Sequence, residues 1–240
     1  MFTGFPESMI QFFLGLRFNN QLSYFEEHRE EYLQNVQAPF HEFIEELGPR
    51  MRDIDKAMEI RPAKCLARIR RDVRFTKDKS PFRDHLWLLF RRAGEPRDGS
   101  VMYWFEITPE TVDWGLGFWG ENRPVMDLLR RRMAADPKGF LDLIHRCGLE
   151  AHDLELGGNT FKRFSVPENI PSELRPWYTA RDLYICRRNT QLTWIYTPDI
   201  VTRAYADYQA MAPFYRTFRG LLDDIMAEQE PENGVSSPLR

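Results

Sequence analysis

Between Arg68 and His85 the chain reads RIRRDVRFTKDKSPFRDH, with seven Lys or Arg residues against three acids in a protein whose formal net charge is only −3. Arginine offers a planar fork that binds carboxylate or phosphate through paired hydrogen bonds, and lysine offers a compact point charge. Cations at this density make an anion site if the fold brings them together, and a solvated surface if it does not. Read from Cys65 as a strand, alternation puts Leu66, Arg68, Arg70, Asp72 and Arg74 on one face and Ala67, Ile69, Val73 and Phe75 on the other. The next residues, TKDKSP, have turn composition, so Thr76, Asp78 or Ser80 can bond local amides while Lys77 and Lys79 project. Pairing across that turn brings Arg74, Lys77, Lys79, Arg83 and His85 to one end of a sheet. The expected ligand-binding set is therefore Arg68, Arg70, Asp72, Arg74, Lys77, Lys79, Arg83 and His85, with Arg68 and Asp72 ordering the others. The competing reading is structural: Asp72, Asp78 and Asp84 neutralise part of a solvated row of charge.

Other constellations carry less. Five histidines, at 28, 41, 85, 145 and 152, show no HxH or HExxH spacing, so no metal site is expected, and only His85 adjoins the basic stretch. Glu106, Asp113 and Asp182 lie in or beside expected strands, where a lone acid usually pairs with arginine but can also serve as a base or metal ligand. GLGFWG at 115–120 has GxGxxG spacing only inside an expected strand and not after one, and GxxxxGK[ST] and GxSxG do not occur, which removes the anchors of dinucleotide, Walker-type and ordinary hydrolase chemistry. In GLGFWG, Gly115 and Gly117 leave one strand face bare, which suits packing by a helix, a bulge or a flat ligand, the helix being expected. Arg130, Arg131 and Arg132 near a helix end complement its dipole or extend a basic surface.

The elements that must position these residues follow from periodicity. Apolar residues from Leu22 to about Met58 recur at sevens and fours, as on one buried helical face, with Pro39 inside the run predicting a kink or two abutting helices. Asn20, or Ser23 with Glu26, is the expected cap. CLARIRRDVRF, HLWLLFRRA, VMYWFEIT and TVDWGLGFW read as four strands of a meander, followed by helices over 124–135 and 137–146. HDLELGG, ARDLYICRR and QLTWIYT are further strand candidates. A last helix starts at Thr197 and is interrupted at Pro213. The sum is an α+β fold: one domain over 1–227, a mixed and largely antiparallel sheet covered by long N- and C-terminal helices, and a disordered tail over 228–240 rich in Pro, Gly, Ser and Glu. A sequence that is 14% aromatic predicts one aromatic core.

Phe2-Thr-Gly-Phe5, Asn19-Asn20 with Tyr24-Phe25, the run Arg68-Ile-x-Arg71-Asp72-x-Arg74-Phe75-Thr-x-Asp78-Lys79-Ser-Pro81-Phe82, and GLGFW at 115–119 together resemble the DUF2461 family of conserved hypothetical proteins. The likeness spans nearly the whole chain, with Phe82, Arg83 and Asp84 standing where that family's pattern has Tyr, Lys and Thr. It implies a protein without an assigned substrate and brings neither activity nor cofactor.

Two functional classes remain. The first is binding of a phosphate- or carboxylate-bearing small molecule, with or without catalysis. The second is a non-catalytic module docking an acidic partner or RNA through the same surface, although a pI near 6.0 argues against a general nucleic-acid binder. Buried arginines converging on a concavity favour the first, and a flat patch continuous with Arg130–Arg132 the second. Three dispersed cysteines without CxxC spacing suit a reducing cytoplasm, and the apolar MIQFFLGL is too short for a membrane span.

Overall fold

The structure, a computed structural model, describes residues 1–74, 77–118, 120–189 and 191–229. The expected places of Phe75, Thr76 and Trp119, and nearly all of the expected tail, lie outside the described residues.

Helix α1 (Glu7–Phe18) buries Met9, Ile10, Phe12, Phe13 and Leu16. Helix α2 (Leu22–Glu27) has Gln21 at its N-terminus and no side-chain cap, so neither expected capping residue serves. After a helical turn at Arg29–Glu31, Tyr32–Gln37 winds as a π-helix and leads into α3 (Ala38–Ile54). This is the form that the irregularity expected at Pro39 takes. Proline donates no amide hydrogen and crowds the carbonyl four residues back, and a wider turn just before it accommodates both effects. Phe40, Phe43, Ile44, Leu47 and Met51 are the buried face of α3.

Strands β1 (Leu86–Phe90), β2 (Val101–Ile107), β3 (Val112–Phe118), β4 (Glu155–Gly157) and β5 (Tyr184–Asn189) form a sheet in the order β1-β2-β3-β5-β4. Each pairing among these strands is antiparallel. Two expected strands are not strands. QLTWIYT holds a 3-10 helix, Leu192–Tyr196, because the strand before it, β5, is already flanked by β3 and β4. CLARIRRDVRF is extended but makes only isolated bridges, for a reason that belongs to the site.

Helices α4 (Arg123–Ala135) and α5 (Pro137–Cys147) start at side-chain caps, Asn122 accepting from the Val125 amide and Asp136 from the Gly139 amide. The last helix, α6 (Asp199–Gln229), runs on through Pro213, where an interruption was expected. Packing outweighs the lost hydrogen bond there: Met211, Ala212, Phe214 and Tyr215 are all buried, and the Thr217 hydroxyl donates to the Pro213 carbonyl at 3.0 Å. Helix α6 crosses β2 and β3 and contacts α3, α4 and α5. Leu86, Leu88, Phe90, Tyr103, Phe105, Trp114, Leu116 and Ile185 point from the sheet into this helical layer. A buried carboxylate pins the layers, since Asp207 of α6 accepts from the Trp114 indole at 2.9 Å and from Arg187 Nε at 2.6 Å. The result is a single α+β domain with helices over one face of its sheet. Among the described residues, no helix is long and apolar enough to cross a membrane.

Candidate functional site

The segment from Leu66 to Arg74 runs beside residues 81–88 and bridges at Leu66–Leu88 and Arg70–Phe82. Backbone bonds from Ala67 N to Trp87 O, Arg71 N to Pro81 O and Arg83 N to Ile69 O hold it there, at 2.8–2.9 Å. It is not a regular strand because the register changes between the two bridges, an advance of four residues from Leu66 to Arg70 meeting one of six between Phe82 and Leu88. Arg83 Nη1 donates to Arg68 O at 2.7 Å and to Arg70 O at 2.8 Å. The guanidinium that sequence placed at the start of the next strand is thus a brace between the two segments, and it lies over the Trp87 ring at 4.7 Å.

These segments wall a groove of about 710 Å³, whose other cationic walls are Lys64, Arg91 and Arg97. Of the expected ligand set, Arg68, Arg70, Asp72, Arg74 and Arg83 line it, and Arg71 joins them. Lys77 and Lys79 are exposed and do not line it; the Lys79 ammonium donates instead to the Val73 carbonyl at 2.8 Å. His85 is turned into a neighbouring cavity. The acids expected to offset the row do so unevenly. Asp72 pairs with Arg74 and Asp78 with Arg71, both at 2.7 Å, and the Arg74 hydrogen bonds hold the Asp72 carboxyl well below its usual range. Among the described residues no carboxylate forms an ion pair with Arg68, Arg70, Arg83 or Arg91. Arg83 is accordingly the strained charge of the group: desolvation, then repulsion from Arg71, Arg97 and Arg68, lowers its proton affinity from the ordinary arginine value.

The groove is fixed from below by a residue with no local signal. The Asn20 carboxamide donates to Phe82 O at 2.9 Å and accepts from Phe82 N at 3.0 Å, so one side chain satisfies both backbone groups as a neighbouring strand would. Phe25 stacks on Phe82 at 4.2 Å, and Arg17 Nε donates to Asp84 at 2.6 Å. Residues on either side of Arg83 are therefore anchored to α1, α2 and the loop between them. These contacts also give a physical role to Asn20 and Phe25, two of the residues carrying the family likeness.

A second cavity, about 640 Å³, opens on the sheet face turned away from the helices. Trp87 and Leu89 wall both cavities, so the two adjoin. Its remaining wall includes Trp104, Phe118 and Tyr184, with His85, Glu106, Asp113 and Arg188 as polar groups. Glu106 and Asp113 are cross-strand partners in β2 and β3. Burial and then the nearby Asp113 charge hold the Glu106 carboxyl above its ordinary range, while His85 acts in the opposite direction. The His85 ring is oriented by Asp84, its Nδ1 lying 2.9 Å from Oδ1, with Nε2 3.8 Å from Glu106. Asp182, the third strand acid noted in sequence, instead accepts from the Asn159 amide and side chain, both at 2.8 Å.

Gly115 and Gly117 are not covered by a helix, contrary to expectation, and Gly117 lines this cavity. Strand β5 itself makes the close approach: a Cβ on Gly117 would stand 2.5 Å from Tyr184 Cβ. Arg130 also departs from expectation. It is buried, and donates to the carbonyls of Tyr178 and Ala180, while Arg132 pairs with Asp224. Neither extends the basic groove.

Sequence reasoning missed Asn20, Arg91, Arg97 and most of the second cavity. The cavity was reachable in part, because alternation within the strands puts Trp87 and Leu89, or Trp104 and Glu106, on one face. Among the described residues, no group of three or more His, Cys, Asp or Glu stands close enough to hold a metal ion. No curated protein matches the chain. Residues 8–216 match the family described as conserved hypothetical protein, DUF2461, and the chain belongs to that family.

Proposed function

We propose that the protein binds a small anion bearing phosphate or carboxylate groups in the arginine groove. The observation that carries this reading is the braced Arg83 guanidinium. It is spent on two carbonyls, stacked on Trp87, and crowded by like charge that a bound anion relieves. Arg68 and Arg70 line the same wall and supply further donors, and the groove's volume is that of a small-molecule site. Lys77 and Lys79 drop out of the proposed set, and His85 belongs to the cavity alongside.

Docking of RNA or an acidic protein is the weaker reading. It drew on a flat basic surface continuing to Arg130–Arg132, and the concavity of the groove and the burial of Arg130 both argue against it. Three buried cysteines without disulfides suit a reducing compartment, and a cytoplasmic location is part of the proposal.

The test is a thermal-shift comparison of inorganic phosphate, pyrophosphate and citrate against chloride at matched ionic strength, since a ligand selective for the folded state raises its stability. Wild type should be stabilised by at least one of the three anions. Arg83→Gln and the exposed Arg68→Gln should lose all or most of that shift. Equal shifts in all three proteins would remove the groove as the binding place.

A further inference from the structure

Resting on the anion reading, we propose that the cavity on the outer sheet face binds the ring of the same ligand, which makes the ligand a nucleotide: a phosphate in the arginine groove and a flat, donor-bearing ring among Trp104, Tyr184, Glu106 and Asp113. Three observations converge on this. The two cavities share Trp87 and Leu89 as walls, and Arg83, the phosphate-side brace, lies on the Trp87 ring. The two cavities are therefore neighbours within reach of one extended molecule. Secondly, the chemistry changes sign between them. The groove is lined by arginines, whereas Glu106 and Asp113 face the second cavity beside Arg188 and His85. A second phosphate would meet carboxylates there, while hydroxyl or amino groups would donate to them. Thirdly, the wall is partly aromatic: Trp104 and Tyr184 line it and offer faces on which a planar ring can stack.

Stacking and hydrogen bonding of a base add to whatever affinity the phosphate has alone. Calorimetric titration of inorganic phosphate and of a panel of ribonucleoside monophosphates should find at least one nucleotide binding about tenfold or more tighter than phosphate. Trp104→Ala should erase that gain and leave the phosphate affinity unchanged, which also certifies that the variant is folded. Glu106→Gln should weaken the nucleotide severalfold and phosphate not at all. If no nucleotide exceeds phosphate, or Trp104→Ala leaves the gain intact, the ring site is wrong while the anion groove stands. If neither phosphate nor nucleotide binds, both proposals fail. A wild-type dimer that Trp104→Ala dissociates, without ring binding, would overturn the inference in favour of a second copy of the chain covering this face.

Discussion

Asp207 is 3% exposed and holds three elements at once, so its removal should be among the costliest single changes outside the apolar core. Its two oxygens accept from the Trp114 indole, from Arg187 Nε at 2.6 Å and Nη2 at 3.3 Å, and stand 3.2 Å from His152 Nδ1. Asp207→Ala leaves the Arg187 guanidinium, 13% exposed, without its main counter-charge, and breaking such a pair from one side costs about 3–5 kcal/mol. The orphaned indole N–H alone would cost about 1–3 kcal/mol. The two losses overlap, and Arg187 keeps the His152 carbonyl and the exposed Asp153 at 3.1 Å, so the total should stay at about 3–5 kcal/mol. Asp207→Asn, which keeps an acceptor for Trp114, should cost less. Equilibrium urea unfolding measures each value from its midpoint and slope. Replacing both partners, Asp207→Leu with Arg187→Met, should recover at least about 2 kcal/mol relative to the summed single changes, because no stranded charge is left. A loss below about 1 kcal/mol for Asp207→Ala, or strict additivity in the double variant, would refute the view that this buried pair ties β5 to α6.

Asn20→Asp keeps the shape of the residue but replaces the group that donates to Phe82 O with a carboxylate oxygen. It should destabilise the fold by about 1–3 kcal/mol and weaken anion binding through Arg83, whereas a purely capping role would leave binding untouched. Burial raises the thiol of Cys65 to about 12 and those of Cys147 and Cys186 to about 11, so a disulfide reagent at about pH 8 should label the native protein slowly and three thiols after denaturation. One rapid native equivalent would contradict this. Hydrogen bonds from the Arg61 side chain, chiefly, lower the Glu59 carboxyl from 4.5 to about 2. Its stabilising effect is present above the unfolded value and is lost as pH falls toward the folded one. The stability gap between wild type and Glu59→Gln should therefore be full near neutrality and close by about pH 2, and a gap that widens on acidification would contradict the assignment.

The course of the chain was legible where one periodicity ruled. Branched and aromatic runs bounded by turn signals marked β1, β2 and β3, and the sevens and fours of α3 marked its buried face. The basic stretch misled for an instructive reason. Its alternation is that of a strand, yet its register against residues 82–88 changes between the two bridges, and Arg83 takes the Arg68 and Arg70 carbonyls, a contact spanning 15 and 13 residues. Asn20 was equally hidden, since its target lies 62 residues along and its local neighbours suggest a cap. Pro213 erred in the opposite sense: propensity predicted a break, and burial on several sides overrode it. Of the candidate site, the arginines between Arg68 and Arg83 were legible from charge density alone, whereas Arg91 and Arg97 were not. Which of them share a groove depended on the turn and the brace, and the cavity on the outer sheet face depended on strand register.

The most direct test of the central claim is calorimetric titration of pyrophosphate into wild type and Arg83→Gln at constant ionic strength, with Arg68→Gln as the variant that spares the brace. Saturable one-to-one binding by wild type, a severalfold loss in Arg68→Gln and abolition in Arg83→Gln are the predicted results. Saturable binding of equal strength in all three proteins, or none in wild type, would contradict the assignment of the arginine groove as an anion site.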